Sequence, residues 1–563
     1  MLRTYATQFR PLENGLTQYY NLPYYVLYKA TFFEYRMEMK IMTQIKRSLV
    51  LITLFFALSL EGKSQTPPNE ITFVRQGVKR LIFDADQAIP LASLVPSRVI
   101  DLSTMHPSHM HTSEKPDISI QQDLLVVKSE NRTESSLWFG GFNPFATYIL
   151  DLNRCKGQGK VGFEFSDPKK TERFVVTVSF QENRLTDANL EIIKDGQALV
   201  SRSILTASLS SQNLPQRLIL QMLGSGFTLF SANKGLPVCI GQSDFNQFLD
   251  LRTKRRIHSF QSSLYIQLNK GEVSILNVRS ELSTGVGQAD IRAITYKDGS
   301  PFIDQGRLWY TLSIRGRALP HHIQGVFSMS PSVFDITLEG IIVFDREDGI
   351  LRNEISSHIF YDPDNKIWRG LTTGFTAYAN IKKEKKQILA IESNQDPRFG
   401  FSIMKAKPMG IVGDIEDSHI LFDQAAQKWR VLTCENHRGY KAVMLESNHW
   451  DHGFTRIAGP VQENSTGTSI QKIGDTRYCF SGSQAREIFI YSYPELNKVG
   501  TLNMDLPPWN EKSGTRVWPN VVSLPHGKTS KYIALMMDRF NYPGLKGPHW
   551  SYGALYLYYG YDK

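Results

Sequence analysis

The residues with chemical potential cluster in the second half of the chain, where carboxylates recur beside histidines at similar places in a repeated pattern. Asn353-Glu354-Ile355-Ser356-Ser357-His358 is matched by Asp414-Ile415-Glu416-Asp417-Ser418-His419. Asp290-Ile291-Arg292 lies upstream, and Glu463-Asn464-Ser465-Thr466 and Arg516-Val517-Trp518-Pro519-Asn520 lie downstream. If these segments converge, carboxylates, two histidines, an arginine and a tryptophan ring one pocket. That composition suits glycosidic cleavage, which needs one protonated carboxyl for the leaving oxygen and a second carboxylate as base or nucleophile. Crowding carboxylates in a dry pocket raises the pKa of one of them and so creates the acid. On this reading Glu416 is the general acid, with Asp417 competing for the role, and Asp290 or Glu354 is the base or nucleophile. His358, His419, Arg516, Trp518 and Glu463 fall to substrate binding, Arg516 by pairing with a carboxylate. A purely structural role competes for each. The equal placement of His358 and His419 also suits packing between repeats, and Asp362 and Asp423 read as turn formers.

The elements that must bring these residues together are strands. Ser357-His358-Ile359-Phe360-Tyr361-Asp362 and Trp368-Arg369-Gly370-Leu371-Thr372 return 61 residues later as Ser418 to Asp423 and Trp429 to Thr433, with 10 identities in 24 ungapped positions. Each copy reads as strand, Asp-centred turn and a strand bearing Trp. Weaker copies start near Ile291, Thr468 and Trp518, making five units. One such unit cannot bury its own faces, whereas radial stacking of small antiparallel sheets can. Residues 286–563 are therefore expected to form a five-bladed β-propeller. Its last blade would be completed by Gly553 to Tyr559. Residues 70–285 show short alternating strands, such as Phe174 to Phe180 and Arg217 to Leu223, with no amphipathic helical stretch. These predict a jelly-roll-like β-sandwich. The expected class is all-β, an N-terminal β-sandwich followed by the propeller.

The N-terminus carries an address. Lys46-Arg47, an apolar run to Leu60 and Gly62-Lys63-Ser64 describe a signal peptide over residues 42–64. Residues 1–41 then read as an extension from an upstream start codon. The run Ser48–Leu60 has 13 residues, too short for a spanning helix of about 20. Export to a bacterial periplasm or cell surface is expected. The formal charge of +10 includes eight basic and four acidic residues in the first 64, so the remainder carries 10 − 4 = +6. Its basic runs, Lys254-Arg255-Arg256 and Lys382 to Lys386, read as solvated faces. No nucleic-acid motif accompanies them, and the mild positive balance suits an acidic polysaccharide. Cys155, Cys239, Cys434 and Cys479 have no metal-type spacing and read chiefly as buried apolar groups. No cofactor is expected and no metal site is readable, structural calcium included.

Ser283-Thr284-Gly285-Val286-Gly287-Gln288-Ala289-Asp290, Arg315-Gly316-Arg317-Ala318-Leu319-Pro320-His321 and Gly413-Asp414-Ile415-Glu416-Asp417 resemble exported glycan-degradation proteins of the Bacteroides type, specifically glycoside hydrolase family 143. Thr515 to Asn520 and Met537-Asp538-Arg539-Phe540 extend the resemblance over nearly the whole mature chain. It implies a β-sandwich before a five-bladed propeller, and removal of a keto-deoxy sugar acid (2-keto-3-deoxy-D-lyxo-heptulosaric acid) from the pectin rhamnogalacturonan II. More distantly the chain is similar to families 43 and 32, which place an acidic residue on each of the first three blades. Asp290, Glu354 and Glu416 stand at the corresponding places, although the flanking residues depart from those families' motifs. Two other functions fit the same residues. A polysaccharide lyase would use His358 or His419 as the base, and a non-catalytic glycan-binding protein would need no proton donor.

Overall fold

The computed structural model describes residues 67–206, 213–509, 518–525, 531–547, 550 and 552–561. The expected upstream extension (1–41), the signal peptide (42–64) and Arg516 lie outside the described residues. Among the described residues the fold is all-β with a few helical turns, and no helix is long and apolar enough to cross a membrane.

The first part is one 13-stranded sheet folded into two facing layers. Two long strands, Thr147–Ser166 and Gln261–Leu282, pair antiparallel along nearly their whole length, with register shifts between Leu268 and Lys270 and between Ser274 and Asn277. Such shifts bend a strand and sharpen its twist, letting one strand serve both layers. Alternation then directs Phe163, Phe165 and Phe174 from one half, and Leu220, Phe227 and Leu229 from the other, into a single core. Phe174 meets Phe227 edge to face across it.

Five antiparallel meanders follow, which makes this part propeller-like. Their first strands are Gly287–Ala293, Ile355–Asp362, Ile415–Asp423, Thr466–Ile473 and Val521–Ser523. These first strands pack side by side in chain order. The last meander returns to the first through Tyr532–Met537 against Gly287–Ala293. Trp368 packs with Phe302 and Tyr361, and Trp429 with Phe360 and Phe422, between neighbouring meanders. Asp362 accepts from the Asp364 N–H and Asp423 from the Ala425 N–H, each closing the turn of its repeat.

One strand departs from expectation. Thr72–Lys79, assigned from the sequence to the sandwich, pairs antiparallel with Leu555–Tyr561 and forms the outer strand of the last meander. The reason is the open edge: Leu555–Tyr561 has Tyr532–Met537 on one side, and its other row of N–H and C=O groups needs a partner. All four cysteines are buried and none is in a disulfide.

Candidate active site

The site begins with a backbone irregularity shared by four of the first strands. A bulge separates Ala289 from Arg292, Ile355 from His358, Glu416 from His419, and Thr466 from Ser469. At the same register inside each bulge the chain turns left-handed, at Asp290 (φ 52°), Ser356 (φ 59°), Asp417 (φ 63°) and Gly467 (φ 62°). A non-glycine residue held there costs on the order of 1–3 kcal/mol, a strain that concentrates at functional sites. Asp tolerates the conformation better than most side chains.

These bulges edge a cavity of about 180 Å³. Asp290, Glu416, Asp417, Thr466 and Trp518 line it from the first strands, together with Arg315, Leu319, Phe375, Tyr378, Tyr440, Met537, Arg539 and Trp550. Each of the three carboxylates has a different setting. Asp290 receives an Arg315 Nη2–H bond at 2.5 Å. Glu416 receives Lys386 Nζ at 2.5 Å, and the same ammonium reaches Asp414 at 2.8 Å and the Tyr440 hydroxyl at 3.0 Å. Asp417 faces no ammonium. Its oxygens accept from the Ser356 hydroxyl and the Gly467 N–H, both at 2.9 Å. Burial, and then the charge of Glu416, push its carboxyl up to about 7. Near pH 7 the Asp417 carboxyl is thus about half protonated.

The buried Arg292 guanidinium donates to the carbonyls of Asp417 (2.6 Å) and Thr468, and lies 4.9 Å from the Trp518 ring. Trp518 donates its indole N–H to Ile291 O at 2.7 Å and covers Gly467 closely, so that a Cβ there would sit 2.7 Å from the ring.

Of the residues singled out from the sequence, Asp290, Glu416, Asp417 and Trp518 meet at this cavity. His358 and His419 do not line it. They stack at 3.8 Å between the second and third meanders, fully buried. The Ile420 N–H donates to His358 Nδ1 and Thr295 Oγ1 bonds its Nε2, while burial pushes the ring down to about 3 and also holds His419 far below its usual range. The packing role therefore describes this pair. Glu354 is also away from the cavity wall. It accepts from the Thr376 N–H at 2.8 Å and hydroxyl at 2.5 Å, anchoring the turn Phe375–Ala379 that supplies Phe375 and Tyr378. Glu463 sits at the periphery, bonded to the Tyr491 hydroxyl and paired with Lys498. Glu416, the acid expected from the sequence, is ion-paired with Lys386.

Sequence reasoning missed Lys386, Arg315, Arg539, Tyr378 and Tyr440. Lys386 was hidden in a run that reads as solvated, yet it stands just before the strand Gln387–Ser393 with its side chain turned inward. Glu416, Asp417 and Cys434 bring carboxylate and thiol ligand atoms within 4.8 Å of one another. Lys386 already supplies a cation to Glu416, and Asp417 accepts from the Ser356 hydroxyl, the Gly467 N–H and, at 3.8 Å, the Cys434 thiol, so no metal is assigned there.

No family model matches the chain, and no curated protein matches it. Among solved structures it is similar to RS223 β-xylosidase, at 12% identity and TM-score 0.34, covering 48% of this chain and 92% of that one. It is also similar to the GH43_1 enzyme from Xanthomonas citri complexed with xylose, at 10% identity and TM-score 0.34, covering 49% and 88%. Zg3597, a family 117 glycoside hydrolase produced by Zobellia galactanivorans, matches at 9% identity and TM-score 0.35, covering 49% and 85%. Each likeness spans about half of this chain, and the functional reading rests on the cavity itself.

Proposed function

We propose that the chain is an exported glycoside hydrolase built on a five-bladed β-propeller, and that it removes a terminal sugar acid from a plant cell-wall polysaccharide such as rhamnogalacturonan II. The observation that carries this reading is the convergence of three carboxylates on one cavity, one pushed up to about 7 by burial and two paired with cations. Asp417, pushed up to about 7, retains a proton to donate to the glycosidic oxygen. Asp290, paired with Arg315, acts as the base on water or as the nucleophile. Glu416 and Lys386 fix the charge beside Asp417. Arg315 and Arg539 on the wall provide cations for a sugar carboxylate, and the Trp518 and Trp550 rings provide apolar faces for the sugar.

The same geometry weighs against a lyase that uses His358 or His419. Among the described residues the cavity wall holds no histidine, and both nitrogens of His358 are engaged. Mass spectrometry of rhamnogalacturonan II oligosaccharides, incubated with the wild-type chain and with Asp417→Asn and Asp290→Asn, tests the proposal. Release of one sugar acid by the wild type and by neither variant is the expected outcome. Release by Asp417→Asn at the wild-type rate would discard Asp417 as the acid. An unsaturated, ultraviolet-absorbing product would replace hydrolysis by elimination. Binding without release by the wild type would make the chain a glycan-binding protein.

A further inference from the structure

The segment that joins two walls of the cavity has a charge the fold does not use. Tyr378, on the turn Phe375–Ala379, lines the cavity and is 44% exposed, and Lys386 reaches Glu416 at the same cavity. The strap between them carries Ile381, 72% exposed, and the exposed lysines Lys382, Lys383 and Lys385. Its one acidic residue, Glu384, is committed elsewhere, to Arg346 at 3.3 Å and Arg352 at 3.1 Å. None of the three lysines has an ion-pair partner among the described residues. Lys405, Lys407 and Lys498, also exposed, do pair, with Glu347, Asp451 and Glu463, and what sets the strap apart is that three unpaired lysines fall within four residues. Three ammonium groups with no ion-pair partner among the described residues, an exposed tyrosine ring and an isoleucine thus share one strap whose ends, at Tyr378 and Lys386, reach the cavity.

We propose that this strap is the subsite for the polymer beyond the terminal sugar, and that it takes an anionic glycan carrying carboxylates along its chain. The proposal rests on reading the cavity as the seat of a terminal sugar. Tyr378 is both on the cavity wall and exposed, so whatever stays attached to that sugar can leave along this strap. A neutral glycan gains nothing from the three charges. A polyuronate gains attraction at each of them, and a face of one sugar can lie on the Tyr378 ring. Lysine suits such a surface because its flexible point charge tolerates a polymer in several registers.

Binding measured without turnover tests the strap separately from the chemistry. The full chain, a Lys382→Gln/Lys383→Gln/Lys385→Gln variant and a charge-matched control, Lys156→Gln/Lys169→Gln/Lys194→Gln on the sandwich, are titrated with polygalacturonate, arabinan and a single-stranded oligonucleotide. At about 50 mM salt the wild type should prefer polygalacturonate, and the strap variant should lose about ten-fold in affinity while the control loses less than about two-fold. At about 0.5 M salt the difference should vanish. Equal binding of arabinan, an equal loss in the control, or equal affinity for the oligonucleotide would each overturn the proposal. Strap-dependent binding by a wild type that releases no sugar would keep the strap and discard the hydrolase.

Discussion

Replacing Asp417 by Asn should stabilise the protein at neutral pH while removing its proposed acid. The side chain is fully buried, and its carboxyl is pushed from the ordinary 3.8 up to about 7. Between those pH values the folded chain binds a proton that the unfolded chain has lost, so stability falls as pH rises. The contribution is present in full below about pH 4 and gone by about pH 7. A little over three pH units at 1.36 kcal/mol each amounts to about 4 kcal/mol. Asn has nearly the same shape and carries no charge. Its oxygen can accept from the Gly467 N–H, and its amide can donate to the Ser356 hydroxyl, where Asp417 now bonds both. Glu354 and Asp538 are also pushed up to about 7 by burial, so the wild-type curve alone does not isolate Asp417. The difference between variant and wild type does. With an unfolding entropy of about 2 cal/mol/K per residue over some 500 residues, 1 kcal/mol corresponds to about 1 °C. Thermal melts from pH 4.5 to 8 should therefore show the variant gaining about 3 °C on the wild type as pH rises to 7, then holding its lead. Parallel curves would refute the assignment of a buried, neutral Asp417.

Two further substitutions test the surroundings. Glu416→Gln leaves the buried Lys386 ammonium to Asp414 and should cost about 2–3 kcal/mol, whereas adding Lys386→Met should recover part of it; a melt of the double variant that simply sums the two single losses would contradict the pairing. Gly467→Ala places a Cβ 2.7 Å from the Trp518 ring at φ +62°, so it should cost about 2 kcal/mol or more and alter the near-ultraviolet circular dichroism of the tryptophan; an unchanged spectrum would mean that Trp518 does not cover Gly467.

The repeat was legible because turn, tryptophan and strand recur in register, and the strands expected around His358, His419 and Thr468 form, whereas the one expected from Trp518 is confined to Val521–Ser523. The acids were harder to place, for a reason specific to these strands. Side chains alternate faces along a regular strand, but a bulge inserts a residue and reverses the alternation beyond it. Parity read from the sequence therefore fails at the point where the cavity forms. The 61-residue offset did hold the answer, since it sets Ser356 opposite Asp417 and Ile355 opposite Glu416. Glu354 then matches Ile415, one place before the bulge, and serves the turn Phe375–Ala379 instead. The two histidines fall on the far side of the bulge, at the register of Arg292, which is where the interior closes under the cavity. The pairing of Thr72–Lys79 with Leu555–Tyr561 was not legible, because nothing in either strand's alternation specifies a partner nearly 500 residues away.

The sandwich participates in the cavity by holding two of its walls. Asp244, on the sandwich strand Val238–Asp244, pairs with Arg317 at 2.6 Å and with His321 Nε2 at 3.0 Å, and these contacts hold its carboxyl far below the usual range. Gln221 donates to the Arg315 carbonyl at 3.2 Å, and Gly316 leaves no room for a Cβ against Leu223 and Gln221. The loop so fixed carries Arg315, the partner of Asp290, and Leu319, both on the cavity wall. On the opposite wall Asn246 donates to Ala379 O at 3.0 Å, at the end of the turn that presents Tyr378. A flexibly joined domain would leave these residues free. Here the arginine that pairs with Asp290 is itself held by the sandwich, so the placement of that carboxylate depends on both parts of the chain.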